Sequence, residues 1–319
     1  MEARIIEEIK SNKAFLIASH INPEGDAIGS ALALAISLNN IGKEVTVFNQ
    51  GPIPRNLQFL PMSAEIVHNP DKIGVNFDVA FVLDCGDLDR VGNGIEKIRK
   101  IRKIINIDHH ITNSKFGDVI LVDSESSSTA ELIYNVLKEI PIEVTYEIAL
   151  NIYTAILTDT GAFCNSNTTE GAFHIASEMV KMGVNPSSVA EKIYKQMPVS
   201  RLKLLGLVLN TLEILDNGRI ASVVAKLSLL KKTGATPELT EDIVNYPRSI
   251  SGVKVAVLFK EVSKNHYKIS LRSNKDVDVA DIAREFGGGG HPNASGGNVG
   301  GSLLEVKRKV FEAISKRLS

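Results

Sequence analysis

The chain is predicted to have an α/β fold in which the first part is a parallel sheet with helices on both faces. Short, almost continuously apolar segments alternate with helical segments up to about residue 185. Polar turns follow the ends of several apolar segments. Alternation of this kind is typical of parallel strands joined by crossover helices. The apolar character along the whole of each strand suits a sheet that is buried on both faces.

Five segments have this strand character, and helical segments lie between and after them. The predicted strands are residues 14–18, 45–48, 79–83, 103–107 and 119–122. The first helix, 27–38, is rich in Ala and Leu, which favour helix, and Gly42 ends it. Later helices are predicted from a cap at Ser127 or Ser128 to about 138, over 146–158, and from Thr168 or Thr169 to Gly183.

A second, smaller α/β domain is predicted in the last third of the chain. The sequence N-P-S-S at 185–188 is a stop and restart signal, and 189–215 is predicted to be a linking helix or helix pair. Strands are expected at 219–225, 252–259 and 267–273, then a helix at 279–286, a glycine-rich loop, and a terminal helix from about Leu303. The predicted boundaries are 1–186 for the first domain, 187–215 for the helical linker and 216–319 for the second domain.

Composition excludes several classes of protein. The net charge is −1, which argues against a generally basic surface that coats nucleic acid, but not against one short nucleotide in one pocket. The two cysteines, Cys85 and Cys164, are expected to be reduced, and a disulfide is not expected. No charged leader and no apolar run of membrane-spanning length is seen. A cytoplasmic protein without a membrane partner is therefore expected.

Three polar turns follow predicted strands and indicate a metal centre. They are H-I-N-P-E-G-D at 20–26, D-C-G-D at 84–87 and D-H-H at 108–110. Parallel strands end at one edge of a sheet, so these side chains are expected to meet there. The candidate ligands are His20, Glu24, Asp26, Asp84, His109 and Asp159. Oxygen and nitrogen donors without sulfur favour Mn²⁺ or Mg²⁺ over structural Zn²⁺.

The candidate reaction is phosphoester hydrolysis. Two cations that share a carboxylate can activate water and neutralise the attacking and leaving oxygens, and Asp84 is the best candidate for the shared ligand. His110 is expected to contact a phosphate oxygen or hold the nucleophile rather than bind metal. Any one turn alone would more often be a helix cap or a hydrogen-bonded turn. The three turns together with Asp159 favour the functional interpretation.

The second domain offers candidate substrate contacts. They are Arg272, Ser273, Gly288, Gly289, Gly290 and His291. Glycines allow backbone amides to approach an anion, and arginine offers a planar fork for phosphate. The alternative is that Gly287 only ends a helix, which explains one glycine of the run more easily than four. No Gly-Lys-Ser or Gly-Lys-Thr follows, so a nucleotide-triphosphate P-loop is excluded.

These motifs, with T-D-T-G at 158–161 and L-R-S before G-G-G-G-H, resemble those of the DHH phosphoesterase superfamily, in its nanoRNase and pAp-phosphatase branch. The resemblance covers nearly the whole chain. It implies a DHH domain and a smaller DHH-associated domain, with the active site in the cleft between them. It also implies two manganese ions, one held by His20, Glu24 and Asp84, and the other by Asp26, Asp84, His109 and Asp159. His110, Arg272, Ser273 and His291 would contact substrate.

By this resemblance the chain would hydrolyse RNAs of about two to five nucleotides to nucleoside 5′-monophosphates. A substrate would have to reach from the contacts in the second domain to the metals, which limits its length. It would also remove the 3′-phosphate from adenosine 3′,5′-bisphosphate (pAp). Long duplex nucleic acid would not fit, and a homodimer is left open. Relatives that cleave cyclic di-AMP or pApA are not separated from this branch by sequence. Inorganic pyrophosphatases share the motifs of the first domain but lack G-G-G-G-H, so the resemblance to them fails at the second domain.

Two positions depart from the family pattern. Glu24 stands where the family has Asp, so its carboxylate reaches one methylene further and the first metal is expected to be displaced, weaker or held through water. Cys164 replaces an expected basic residue. Glu24 motivates an alternative of another class, a catalytically weakened nucleotide-binding protein.

Overall fold

The computed structural model describes residues 1–195, 197–274 and 277–318. These residues form two compact units, Met1–Gln196 and Met197–Ser319. The division falls within the segment that the sequence predicts to be the link. The two units match the α/β organisation expected from the strand and helix pattern.

The N-terminal unit contains a five-stranded parallel sheet in the order β2-β1-β3-β4-β5. Its strands are β1 (Ala14–Ala18), β2 (Glu44–Phe48), β3 (Val79–Leu83), β4 (Lys103–Asp108) and β5 (Val119–Val122). Every side chain of the central strand β3 is buried. The parallel sheet and all five strand positions are confirmed. Continuous apolar runs are a sufficient signal for strands of this kind, because both faces of the sheet are covered.

Seven α-helices of the N-terminal unit flank this sheet among the described residues. They are α1 (Glu2–Ser11), α2 (Gly25–Asn40), α3 (Ile95–Ile98), α4 (Thr129–Lys138), α5 (Tyr146–Asp159), α6 (Glu170–Lys181) and α7 (Pro186–Tyr194). Ser128 caps α4 by accepting from the Glu131 amide, and Thr169 caps α6 in the same way from Ala172. Of the paired cap candidates, the structure thus selects the second residue each time.

Close packing of α2 against α5 depends on two glycines. A Cβ on Gly25 would lie 2.2 Å from Oγ1 of Thr158, and a Cβ on Gly29 would lie 2.6 Å from the carbonyl oxygen of Asn151. Any larger residue would push the helices apart. This contact brings the first turn of α2, which carries Asp26, close to the last turn of α5, which carries Asp159.

The C-terminal unit contains a separate six-stranded mixed sheet in the order β10-β11-β9-β8-β7-β6. Its strands are β6 (Glu213–Leu215), β7 (Ile220–Ala225), β8 (Val255–Ser263), β9 (His266–Ser273), β10 (Gly289–His291) and β11 (Ala294–Gly300). Its helices are α8 (Val199–Leu209), α9 (Leu227–Thr233), α10 (Asn245–Arg248), α11 (Val279–Arg284) and α12 (Leu303–Leu318). In the described part of this sheet, β7 and β8 are parallel and the other neighbouring strands are antiparallel.

Two expectations for the second half are corrected. The stretch 189–215 is not helical throughout, because residues 213–215 form β6 and pair with β7. The glycine-rich segment is not only a loop, because β10 and β11 form an antiparallel hairpin. Glycine has a low intrinsic preference for strands, so the sequence pattern hid this hairpin.

Within the described ranges, no helix is both long and apolar enough to span a bilayer.

Candidate metal centre

The carboxyl edge of the parallel sheet gathers the three polar turns. Strands β1, β3 and β4 are neighbours. His20, Asp84 and His109 follow their ends directly or within two residues. Parallel neighbours end side by side, so three distant sequence segments meet at this edge. The structure thus places His20, Asp84 and His109 at one edge of the sheet.

Asp84 is the residue that the others surround. Its Oδ2 lies 3.6 Å from Nε2 of His20, and its Oδ1 lies 3.8 Å from Nε2 of His109. Thr129 at the start of α4 donates a hydrogen bond to the same Oδ1 over 3.2 Å. The Asp84 backbone has a φ of 51°, a left-handed conformation that aspartate and asparagine tolerate better than most residues. The turn after β3 therefore needs this residue type for shape as well as for charge.

Asp26 faces the N-terminus of α4. Its carboxylate accepts hydrogen bonds from the amides of Thr129 at 2.7 Å and Ala130 at 3.0 Å, and from the hydroxyl of Ser30. Only 2% of Asp26 is exposed. Burial and the neighbouring charges of Asp84 and Asp159 raise the pKa of Asp26 well above its ordinary value, although the two amides oppose this.

Asp159 lies at the end of α5. Its Oδ2 accepts a 2.8 Å hydrogen bond from the Asn167 side chain and lies 3.7 Å from Nε2 of His109. Burial raises the pKa of Asp159 to about 6; His109 opposes the rise and Asp84 adds to it. Asn167 was missed by the sequence analysis, and only its position shortly after T-D-T-G hinted at a role.

These side chains fit a bound divalent cation. Two groups have ligand atoms that all lie within 4.8 Å of one another: Asp84, His109 and His110 form one, and Asp26, His109 and Asp159 form the other. In the described part of the chain, the ion-pair partners of Asp26, Asp84 and Asp159 are histidines only. Clustered carboxylates with little neutralisation are costly to bury, and a divalent cation would relieve that cost.

Backbone contacts orient two of the histidines. Nδ1 of His20 lies 2.8 Å from the carbonyl oxygen of Ile21, and Nδ1 of His109 lies 3.3 Å from that of Ser126. A carbonyl can only accept, so Nδ1 donates to it, and Nε2, the nitrogen that faces the carboxylates, is the one left to bind a metal ion. This is the tautomer that a metal ligand requires.

His110 is held differently, by a residue that the sequence analysis did not select. Its Nδ1 donates to Oδ1 of Asp108 at 2.6 Å. Asp108 is fully buried and also accepts from the Asn113 side chain. Hydrogen bonding to Asp108 raises the pKa of His110 despite burial. Asp108 was visible as the first letter of D-H-H, but nothing in the sequence separated its supporting contact from direct metal binding.

Glu24, like His20, belongs to neither of these ligand groups. Glu24 is exposed at the N-cap position of α2 and makes no side-chain capping bond. Its charge still contributes to raising the pKa of Asp159, after larger contributions from burial and other charged groups. The expected role of Glu24 as a ligand stays a prediction.

A cavity of about 510 Å³ lies on the mixed sheet of the C-terminal unit. Four predicted substrate-binding residues line it, namely Arg272, Gly288, Gly289 and His291. Lys268 and Asn298 also line it and were not predicted. The cavity therefore offers a guanidinium, an ammonium, an imidazole and amide groups, which suit a phosphate or a base edge.

Ser273 and Gly290 do not line this cavity. Ser273 is 2% exposed, and its hydroxyl donates to the carbonyl of Val277 at 2.6 Å. A Cβ on Gly290 would lie 2.5 Å from the carbonyl of Ala294, and one on Gly288 would lie 1.9 Å from that of Gly296. Close pairing of β10 with β11 thus requires these two glycines.

The remaining glycines of the run have other surroundings. Gly287 has a φ of 64° just after α11, so the simple helix-end explanation holds for this residue. Gly289 has open space at its Cβ position and lines the cavity.

Two family models match the chain. The DHH family N-terminal domain matches residues 14–156, and the DHHA1 domain matches residues 219–319. The first covers the parallel sheet with the turns after β1, β3 and β4, and the second covers the glycine hairpin.

Relatives match the chain along nearly its full length. The chain is 33% identical to the bifunctional oligoribonuclease and PAP phosphatase NrnA of Thermus thermophilus, over 95% of this chain and 90% of the relative. It is 30% identical to the NrnA protein of Bacillus subtilis that carries the same description, over 94% and 93% of the two chains. A crystal structure of an exopolyphosphatase-related protein from Bacteroides fragilis superposes with a TM-score of 0.92 at 30% identity, covering 99% and 95%.

The fold and the site together define a DHH phosphoesterase with a DHHA1 domain. The chain belongs, within that superfamily, to the branch of the bifunctional oligoribonucleases and PAP phosphatases.

Proposed function

We propose that this chain hydrolyses short oligoribonucleotides to nucleoside 5′-monophosphates and removes the 3′-phosphate from pAp. The observation that carries the proposal is the cluster of Asp26, Asp84 and Asp159, poorly neutralised carboxylates around His109. The names of the Thermus and Bacillus relatives support the choice of substrates.

Five side chains would hold the divalent cations. They are His20, Asp26, Asp84, His109 and Asp159. Two ions, Mn²⁺ by the donor types, are proposed because Asp84 can be shared: its Oδ2 faces His20 and its Oδ1 faces His109. Bound there, the cations would supply water activation and neutralisation of the developing charge in phosphoester hydrolysis.

The chain's own residues would position the substrate. Nδ1 of His110 donates a hydrogen bond to Asp108, so Nε2 remains free to hydrogen-bond a phosphate oxygen or to hold the nucleophile. In the C-terminal unit, Arg272 would bind a phosphate bidentately, and His291 would bond a sugar or base edge. The cleft between the domains, the cytoplasmic location and a homodimer stay predictions.

The proposal is tested by Mn²⁺-dependent hydrolysis of five substrates side by side: pAp, pApA, cyclic di-AMP, a long RNA and pyrophosphate. Cleavage of pAp and pApA with the long RNA and pyrophosphate spared supports it. Turnover of cyclic di-AMP at a comparable rate would favour the cyclic-dinucleotide subclass instead. Preferred cleavage of pyrophosphate or long RNA would overturn the proposal.

A nucleotide-binding protein with weakened catalysis is the alternative that Glu24 raises, because it stands where the family has Asp and its carboxylate reaches one methylene further. Binding of pApA without turnover under saturating Mn²⁺ would support that alternative. If Glu24→Asp then restored turnover, the longer side chain would be the cause. Turnover by the unaltered chain would support the enzyme and exclude the weakened nucleotide-binding protein.

A further inference from the structure

Arg90 has a fixed position beside the turn that carries His20. It follows the D-C-G-D turn in the helical segment Leu88–Gly94. Its carbonyl oxygen accepts a 2.8 Å hydrogen bond from the amide of Ile21. The segment is closely packed there, because a Cβ on Gly92 would lie 2.7 Å from Cγ2 of Ile21. The backbone of Arg90 is thereby anchored next to the metal centre.

The Arg90 guanidinium is available for a ligand. It is exposed, and no carboxylate in the described ranges is within ion-pair distance of it. The adjacent carboxylate of Asp89 is instead engaged by Arg99 at 3.0 Å, and Arg99 also lies 3.6 Å from Glu96. Arg99 is therefore paired, whereas Arg90 has no such partner among the described residues.

The position of Arg90 in the fold places it at the site. It comes three residues after Asp87, the last residue of the turn that follows β3. The bond from Ile21 to its carbonyl joins this segment to the turn that follows β1, and β1 and β3 are neighbours. Arg90 therefore lies at the edge of the sheet where the polar turns meet.

We propose that Arg90 binds the phosphate that the metal centre presents for hydrolysis, and that it favours a phosphate monoester over a diester. This inference rests on the proposed function. A terminal monoester carries nearly two negative charges at neutral pH and a diester carries one. The guanidinium can meet two oxygens of one phosphate, so its contribution grows with that charge. Arg90 would thus set the balance between 3′-phosphate removal and cleavage of short RNA.

The test compares Arg90→Gln, Arg90→Lys and the matched control Arg99→Gln, all with saturating Mn²⁺. KM and kcat are measured for pAp, in which the scissile group is a monoester, and for pApA, in which it is a diester. For Arg90→Gln we expect KM for pAp to rise about tenfold and KM for pApA to rise no more than about threefold. Arg90→Lys recovers part of the loss, because it restores the charge but not the fork. Arg99→Gln leaves both values within about twofold, as expected for an exposed pair.

Two kinetic results would overturn the inference. Arg90→Gln could behave like Arg99→Gln, which would show that the guanidinium makes no substrate contact. KM could instead rise equally for both substrates, which would place the contact on the 5′-phosphate that pAp and pApA share.

Calorimetry with inorganic phosphate in the presence of Mn²⁺ separates this inference from the proposed function. If the unaltered chain hydrolyses neither substrate, the proposed function fails. Weaker phosphate binding by Arg90→Gln, with binding by Arg99→Gln unchanged, would still support the role of Arg90. Equal phosphate binding by all variants would overturn it.

Discussion

The imidazole of His110 is fixed by the carboxylate of Asp108, with Nδ1 of the histidine 2.6 Å from Oδ1 of the aspartate. Asp108 is fully buried, and Asn113 donates to its second oxygen at 2.6 Å. Burial alone would raise the pKa of Asp108, but the hydrogen bonds from His110 and Asn113 lower it overall. Asp108 is therefore a charged acceptor that sets the orientation of the ring and the nitrogen that remains free.

The first prediction follows from this contact. Asp108→Asn removes the charge and turns one acceptor oxygen into an amide nitrogen, which would face a donor of either His110 or Asn113. We therefore expect kcat/KM for pAp to fall about 10- to 100-fold, as for other supporting contacts in active sites. Steady-state kinetics measure the fall, and circular dichroism checks the fold. Asp118→Asn is a suitable control, because Asp118 accepts from the Ile104 amide at the opposite end of β4. A similar loss in both variants would indicate general damage to the sheet.

The second prediction concerns Asp84. Because its φ is 51°, Asp84→Asn is a cleaner variant than Asp84→Ala: asparagine tolerates this conformation and loses only the charge. We expect turnover to be abolished and Mn²⁺ binding, measured by calorimetry, to weaken strongly. Asp242→Asn is the matched control, since Asp242 has a φ of 63° in the other unit. Normal Mn²⁺ binding by Asp84→Asn would remove this residue from the ligand set.

The third prediction separates the two units. His291 lines the cavity of the C-terminal unit, so His291→Ala should chiefly raise KM and leave kcat within a few-fold. His266→Ala provides the control, because His266 is exposed and is not among the residues that line the cavity. A fall in kcat as large as that of Asp84→Asn would contradict a division between metal site and substrate contact.

Much of the N-terminal unit was predictable, because strands buried on both faces leave an unbroken apolar signal and their ends mark the turns. The convergence of His20, Asp84 and His109 follows from the adjacency of β1, β3 and β4. The sequence predicted the parallel sheet and the polar turns, whereas the order that makes these three strands neighbours comes from the structure. The residue types at the strand ends then supplied the chemistry.

Residues that hold other site residues in place could not be predicted from the sequence. Asp108 and Asn167 support His110 and Asp159 only through side-chain directions that tertiary packing sets. The same applies to Ser273, whose hydroxyl bonds the Val277 carbonyl. The glycine run was misjudged for a different reason: Gly288 and Gly290 are required by close strand pairing, which has no periodic signal in the sequence.

The last prediction concerns pH and the metal-free protein. Asp159 has an ordinary pKa of 3.8 and a folded-state pKa of about 6, chiefly because it is buried. Between these values the folded chain retains a proton that the unfolded chain releases. Stability should therefore fall as pH rises from about 4 to 6, and the full penalty should remain above pH 6.

Urea unfolding of EDTA-treated protein between pH 4.5 and 7.5 measures this effect. Asp159→Asn cannot ionise, so the stability of the unaltered chain relative to this variant should fall by on the order of 2 kcal/mol across that range. A relative stability that does not change with pH would contradict the raised pKa. Excess Mn²⁺ should reverse the fall in the unaltered chain, because the cation favours the charged carboxylate, and should stabilise Asp159→Asn less. Equal stabilisation of both by Mn²⁺ would exclude Asp159 as a ligand.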